Sequence, residues 1–502
     1  MFPKKLTFVA VAASLSLGGI NAQAQETGAL LDLLVRKKII SDQEAEEIRG
    51  ELNKEFSQAP AGKLKMSQPI TELEIYGDAR VRYEYRAGRT DPSQPLAARP
   101  GPGVAGAADW QERQRERYRL RLGIRGTLAD DWFFGLRLET STNPRSTNVT
   151  FGDDSTSGPF AKNSDTIQVG QAYLGYRGLR DFTFTVGRMP QPLVTTLMVW
   201  DGDINPEGLS EQWKHSFNLS LGGGSTASAD SYSKDGKGMA AVTASEPFKM
   251  KIDVFANFGQ FVYDDANPEN ALGPRGFTNG LRTPDTDAWL FASQIGARFN
   301  FPKNFYFQVA PVLYNYSGLG DTFNSYYRGG SPFITNAASL ALNQTGANDL
   351  TVLEIPSEFG FKIGELPVRI FSDFAVNFDA DDRAARAGRP DKGDQRYAYQ
   401  IGAGIGQLKA KRDWLIQAYW MHTEQYALDP NLVDSDFWDS RVNVEGVVVQ
   451  GGYALSDAIS VNVQWGYGTR ADDSLGTGGV GDIGINPLDK YHIFQADLNW
   501  KF

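Results

Sequence analysis

Three histidines, His215, His422 and His492, sit on different segments of the chain, and there is no cysteine. A soft-metal centre therefore has almost nothing to assemble from. His215-Ser216 sets a base beside a hydroxyl, the pairing that activates a hydrolytic nucleophile, yet neighbours on an extended strand point to opposite faces. Gly402, Gly404 and Gly406 imitate a phosphate-cradling loop, but the spacing is not GxGxxG and the context is a strand pair. Small residues on one face of a strand explain them better. No catalytic residue, metal or cofactor is expected, and what remains is electrostatics. Arg80, Arg82, Arg113, Arg115, Arg117, Arg119 and Arg121 recur at alternate positions and form a basic wall on two successive strands, with Arg188 where that wall meets a loop. The loop carries Trp200, Asp201, Asp203, Pro206 and Glu207. A basic wall facing an acidic loop sets up a transverse field that orients dipolar solutes. The alternative is that Glu74, Glu84 and Glu139 neutralise the arginines, which then only fill space.

The elements that must position these charges have period two. From Leu73, the residues Leu73, Ile75, Ala79, Val81, Tyr83 and Tyr85 share one face, while Glu74, Asp78, Arg80, Arg82, Glu84 and Arg86 share the other. A soluble sandwich has shorter strands and turns its charged faces outward. Strands of about ten residues or more, apolar outside and polar inside, describe an all-β transmembrane antiparallel barrel. Sixteen candidate strands fall between 71–86 and 489–502, among them 180–188, 237–248, 250–263, 411–426 and 440–454. Short joins such as Ala129-Asp130 and Gly364-Glu365 alternate with long polar loops such as Ala87 to Gln111. One rim of turns and one of loops means insertion in a single direction, with both termini at the periplasmic, short-turn rim. The longest connection, Met189 to Gly236, is the third long loop. It is rich in proline and has no core of its own, so it either folds into the lumen or lies on the cell surface. Trp132, Trp414, Trp465 and Trp500 fall near strand ends, where interfacial girdles belong.

Before the barrel, Lys4-Lys5, an apolar run from Leu6 to Ile20 and Ala22-Gln23-Ala24 have the order of an export signal over residues 1–24. Residues 25–62 read as a short periplasmic helical segment and linker. Leu30, Leu33 and Leu34 have helical spacing, and Ser41 to Glu44 has the form of a capping box. The segment is either a hairpin resting on the barrel or a coiled-coil-like oligomer stub. The formal charge of −10 excludes a nucleic-acid partner.

The last strand alternates Phe494, Ala496, Leu498, Trp500 and Phe502 with polar residues and ends on the aromatic. This resembles the assembly signal of outer-membrane barrels. Gly187-Arg188-Met189-Pro190, Trp200 to Gly208, and the lead Gly28 to Leu34 with Ser41 to Glu47 resemble the putative porin family of Gram-negative outer membranes. The resemblance implies a passive diffusion channel for small hydrophilic solutes and ions, narrowed by the third loop and trimeric like related porins. The partners it implies are outer-membrane lipid, lipopolysaccharide and the barrel-assembly machinery. A non-conducting scaffold, sheath or adhesin, and an anion-specific channel suggested by the arginine ladder, remain as alternatives.

Overall fold

A computed structural model describes residues 36–37, 69–90, 111–141, 146–152, 166–221, 248–264, 288–318, 350–387, 389–436, 438–476 and 488–502. The expected export signal and helical segment lie outside these, apart from Arg36 and Lys37. From Gln68 to Phe502 the strands form one antiparallel sheet that closes on itself. In chain order the staves are β1 (Ile70–Thr90), β2 (Gln111–Leu128), β3 (Trp132–Ser141, continued by Val149–Thr150), β4 (Thr166–Tyr176) and β5 (Phe182–Arg188). Then come β6 (Glu207–Leu221), β7 (Phe248–Asp264), β8 (Ala288–Asn300), β9 (Tyr306–Val309 with Val312–Gly318) and β10 (Thr351–Glu354 with Ser357–Ile363). The ring is completed by β11 (Leu366–Asn377), β12 (Tyr397–Gly406), β13 (Trp414–Thr423), β14 (Val444–Ala454), β15 (Ile459–Arg470) and β16 (Leu488–Lys501). β9 and β10 are interrupted at Pro311 and Pro356, which have no N–H for the ladder. Pairing continues past the breaks: Ala310 N donates to Pro356 O at 3.1 Å. β16 pairs with β1 from Asp78↔Lys501 to Arg89↔Lys490, so sixteen staves leave no free edge.

The alternation is inverted relative to a soluble protein. On β1, Ile75, Val81 and Tyr83 are exposed while Arg80, Arg82, Glu84 and Arg86 are buried. The same outward apolar set runs on through Leu120 and Leu122, Leu136 and Leu138, Ile401, Ile416, Leu498 and Trp500. Such a surface is stable only against lipid. Trp132, Trp414 and Trp500 are exposed at the strand ends of the short-turn rim, and Trp132 packs on Tyr176 with ring centroids 5.0 Å apart. At that rim β2 and β3 are joined by three residues, 129–131, of which Asp130 and Asp131 are left-handed, with φ of 60° and 65°.

One stave differs from the sequence expectation. β6 runs from Glu207 to Leu221, inside what reads as a single loop from Met189 to Gly236. Its outward set, Leu209, Glu211, Trp213, His215, Phe217 and Leu219, is interrupted by Glu211 and His215, which hides the period-two signal. The expected strand 237–248 lies outside the described residues except Phe248, where β7 begins and pairs with Leu221. The third loop is therefore residues 189–206. β6 ends at Leu221, paired with Phe248 at the opposite, short-turn rim, and Glu207 belongs to the wall.

Candidate functional site: the inner face of the barrel

The loop 189–206 leaves the wall between two opposed glycines, Gly187 on β5 and Gly208 on β6, with φ of 116° and 147°. A Cβ at Gly208 would stand 2.1 Å from Gln260 O, so only glycine fits there. Prolines 190, 192 and 206 prevent the segment from continuing the ladder. It lies instead against inward-facing residues of β8, β10 and β11. Val194 N donates to Gln294 Oε1 at 2.9 Å, Thr195 Oγ1 to Glu354 Oε1 at 2.8 Å, and Thr196 N to the same oxygen at 3.2 Å. Thr196 Oγ1 donates to Asp373 Oδ2 at 2.5 Å. Met189, Leu193, Met198, Val199 and Trp200 are buried with Phe261, Leu290 and Tyr314 of the wall. The Trp200 ring is 6.2 Å from Phe261, and its Nε1 donates to Ile204 O at 3.0 Å. Trp200 and Pro206 are thus packing residues, and Asp201 and Asp203 form the charged face of the loop.

A second inward segment, residues 424–443 between β13 and β14, has no counterpart in the sequence reading. Leu428, Leu432, Val433, Trp438 and Val442 join the same apolar cluster. Asp201 N donates to Leu432 O at 2.6 Å and Asp434 N to Leu197 O at 3.2 Å. Ser435 donates to Asp201 Oδ2 through its N (2.9 Å) and its Oγ (2.7 Å). The only local signal was apolar Leu432-Val433 and Trp438 set among aspartates, which suits a surface loop equally well.

Arg80, Arg82, Arg115, Arg117, Arg119 and Arg121 of β1 and β2 face inward, each with a carboxylate within 4 Å. Arg82 holds Asp497 at 2.7 Å and Asp436 at 2.9 Å, and Arg80 lies 3.7 Å from Asp497 and 3.8 Å from Asp436. Arg115 reaches Glu84 at 2.5 Å and Arg117 lies 3.6 Å from it. Arg119 and Arg121 both take Asp78 at 2.7 Å, and Asp203 approaches them at 3.9 and 3.7 Å. Arg113 is partly buried. The acidic loop thus touches the basic wall through Asp203, with no open gap at that point. Arg188 shares its parity on β5 with the exposed Phe182 and Val186 and pairs with Glu207 at 2.5 Å. That puts Arg188 and Glu207 on the outward set, away from the inner wall. His215 bonds Asp181 and Ser216 bonds Asp253, so the adjacent pair is split between partners.

The aspartates of the two inward segments shift in different directions, Asp201 and Asp434 upward and Asp436 downward. Burial, reinforced by the charge of Asp203, pushes the Asp201 carboxyl up to about 6. Burial and the charges of Asp201 and Asp436 push Asp434 well above the usual carboxylate range. Burial also opposes ionisation of Asp436, but the guanidiniums of Arg82, Arg80 and Arg117 outweigh it and hold that carboxyl far below the usual range. Because the folded Asp201 keeps its proton to higher pH than an unfolded aspartate, its seat between the loops is most stable in acid. That stability is lost as pH rises through about 6. The preference for cations is expected to rise roughly twofold between pH 5 and 7 as Asp201 ionises. Reversal potentials across that range check this, and Asp201→Asn should flatten the step.

Two cavities flank the tip of loop 189–206. One, of about 480 Å³, is bordered by Leu197, Asp201, Arg369, Gln417, Tyr419 and Gln450. The other, of about 330 Å³, is bordered by Leu197, Asp201, Arg80, Arg82, Gln450 and Gln464.

A closed sixteen-stave antiparallel barrel with an apolar exterior, a polar interior and loops turned inward defines an outer-membrane channel-like barrel of the porin class. The chain belongs to the family described as "Putative porin", whose profile matches residues 35–363. It is a non-enzymatic porin of the outer membrane. A search of curated protein sequences finds no match. Among solved structures, it is similar to an engineered mutant of Rh. blastica porin at 9% identity, over 86% of this chain and 100% of the other, with a TM-score of 0.37. The outer membrane channel DcaP of Acinetobacter baumannii matches at 11% identity over 87% and 99%, TM-score 0.36. OprB of Pseudomonas putida matches at 9% over 86% and 94%, TM-score 0.41.

Proposed function

We propose that the barrel is a water-filled pore for passive diffusion of small hydrophilic solutes and ions, narrowed by loop 189–206 acting together with residues 424–443. The observation that carries this reading is that both cavities are bordered by Leu197, Asp201, Gly202, Tyr419 and Gln450, so open space lies on two sides of the loop tip. Asp201 and Asp203 form the acidic side of the narrowing, and the arginine wall supplies its basic side. The outer face meets lipid and lipopolysaccharide, insertion uses the barrel-assembly machinery, and the working unit is a homotrimer.

Because Glu84 is the common partner of Arg115 and Arg117, stripping those arginines leaves its charge countered chiefly by Arg86, besides removing positive charge from the wall. Replacing Arg113, Arg115 and Arg117 by alanine is expected to raise cation over anion permeability roughly severalfold. Reversal potential in a salt gradient measures it. No shift would remove the ladder from the ion path. Swelling of proteoliposomes in small sugars and amino acids tests the pore itself, and failure to swell would favour a sealed scaffold.

A further inference from the structure

Four glutamines, Gln417, Gln450, Gln464 and Gln495, lie directly opposite one another on β13, β14, β15 and β16. Their amides are joined end to end. Gln417 Nε2 donates to Gln450 Oε1 at 3.1 Å, Gln450 Nε2 to Gln464 Oε1 at 2.9 Å, and Gln464 Nε2 to Gln495 Oε1. At one end Gln495 Nε2 donates to Glu84 Oε2 at 2.9 Å. At the other, Arg369 donates to Gln417 Oε1 across Gly404, which stands between them in the register and has no side chain to block the reach. The ends fix the direction of the chain. A guanidinium only donates and a carboxylate only accepts, so every carbonyl points towards Arg369 and every amide nitrogen towards Glu84.

Each amide offers two N–H donors and two lone pairs, and the belt uses one of each. Gln495 is sealed beneath Asp436 O, whereas Gln417, Gln450 and Gln464 border the two cavities beside the loop tip. The wall there presents leftover donor and acceptor pairs at the strand spacing of about 4.8 Å. The belt amides carry no charge; Arg369, bonded to the end of the belt, lies 3.6 Å from Glu358, and Arg80 and Arg82 are held by Asp436 and Asp497. Opposite stands Leu197, 48% exposed although it sits on an inward loop, and Tyr419 adds a second apolar surface. An ion brought to Gln417, Gln450 and Gln464 would shed water and meet no counter-charge from those amides, although Asp201 borders both cavities from the loop side. A hydroxyl both donates and accepts, and so matches each amide, while C–H surfaces suit Leu197 and Tyr419.

The geometry points to a solute subsite for uncharged, hydroxyl-rich molecules, sugars and polyols, between the glutamine belt and the loop tip. It rests on the pore reading and names the class of solute that pore favours. The test uses the purified full chain in planar bilayers, with maltotriose as probe and a polyethylene glycol of equal hydrodynamic size as control. Maltotriose should interrupt the open current saturably and the glycol should not. Gln450→Leu should weaken the maltotriose block about tenfold, read relative to each channel's own open current. Gln464→Met should do the same and serves if the first variant does not insert. Equal block of the unmodified channel by maltotriose and glycol, or a block unaltered in an inserted variant, overturns the subsite while leaving the pore intact. Absence of any current overturns the pore reading, and the subsite with it.

Discussion

Replacing Glu84 by leucine is expected to cost the barrel about 3–5 kcal/mol of stability, because it removes the carboxylate shared by a buried cluster of cations, even though Arg86 keeps Asp439 and Arg117 keeps Asn148 O. Glu84 is fully buried. It accepts from Arg86 at 2.8 Å, from Arg115 at 2.5 Å and from Gln495 at 2.9 Å, with Arg117 at 3.6 Å. Leucine leaves these guanidiniums in a site with little water to replace the lost carboxylate. The pair Glu84→Leu with Arg115→Leu should recover part of the loss, since one of the stranded charges goes too. Urea unfolding of the refolded barrel, followed by the mobility difference between folded and unfolded bands, measures both. A single-variant loss under about 1 kcal/mol would mean the arginines have other adequate acceptors.

The second large effect is on conductance. Replacing residues 194–203 with a short Gly-Ser-Gly turn should raise single-channel conductance at least roughly twofold, because a sixteen-stranded lumen is otherwise wide enough for an aqueous channel. The variant should also carry Glu354→Gln and Asp373→Asn. Without Thr195 and Thr196, both carboxylates would lose their docking hydrogen bonds in a buried wall. The deletion must stop short of Gly208, which belongs to β6. Conductance equal to the unmodified channel would place the narrowing elsewhere, with residues 424–443 as the next segment to remove.

The staves were legible because lipid outside and water inside impose a period of two that survives local noise. β1 shows it from Leu73 to Arg86, and β16 from Phe494 to Lys501. β6 was not legible, since Glu211 and His215 break the outward set and the preceding prolines suggest one continuous loop. Arg188 could have been placed by counting, because even positions on β5 also hold Phe182 and Val186, both exposed. Positions of charge were readable and their partners were not. Arg82 meets Asp436, 354 residues away, and Asp497, 415 residues away, through the closure of the ring and the infolding of a loop. The glutamine belt is invisible for the same reason, as it exists only once four staves, β13 to β16, are in register.

Planar-bilayer recording of the purified, refolded chain tests the central claim most directly. A steady, stepwise ion current from single insertions is the predicted result. Correctly folded barrels that insert yet carry no current would contradict it and leave a sealed scaffold in its place.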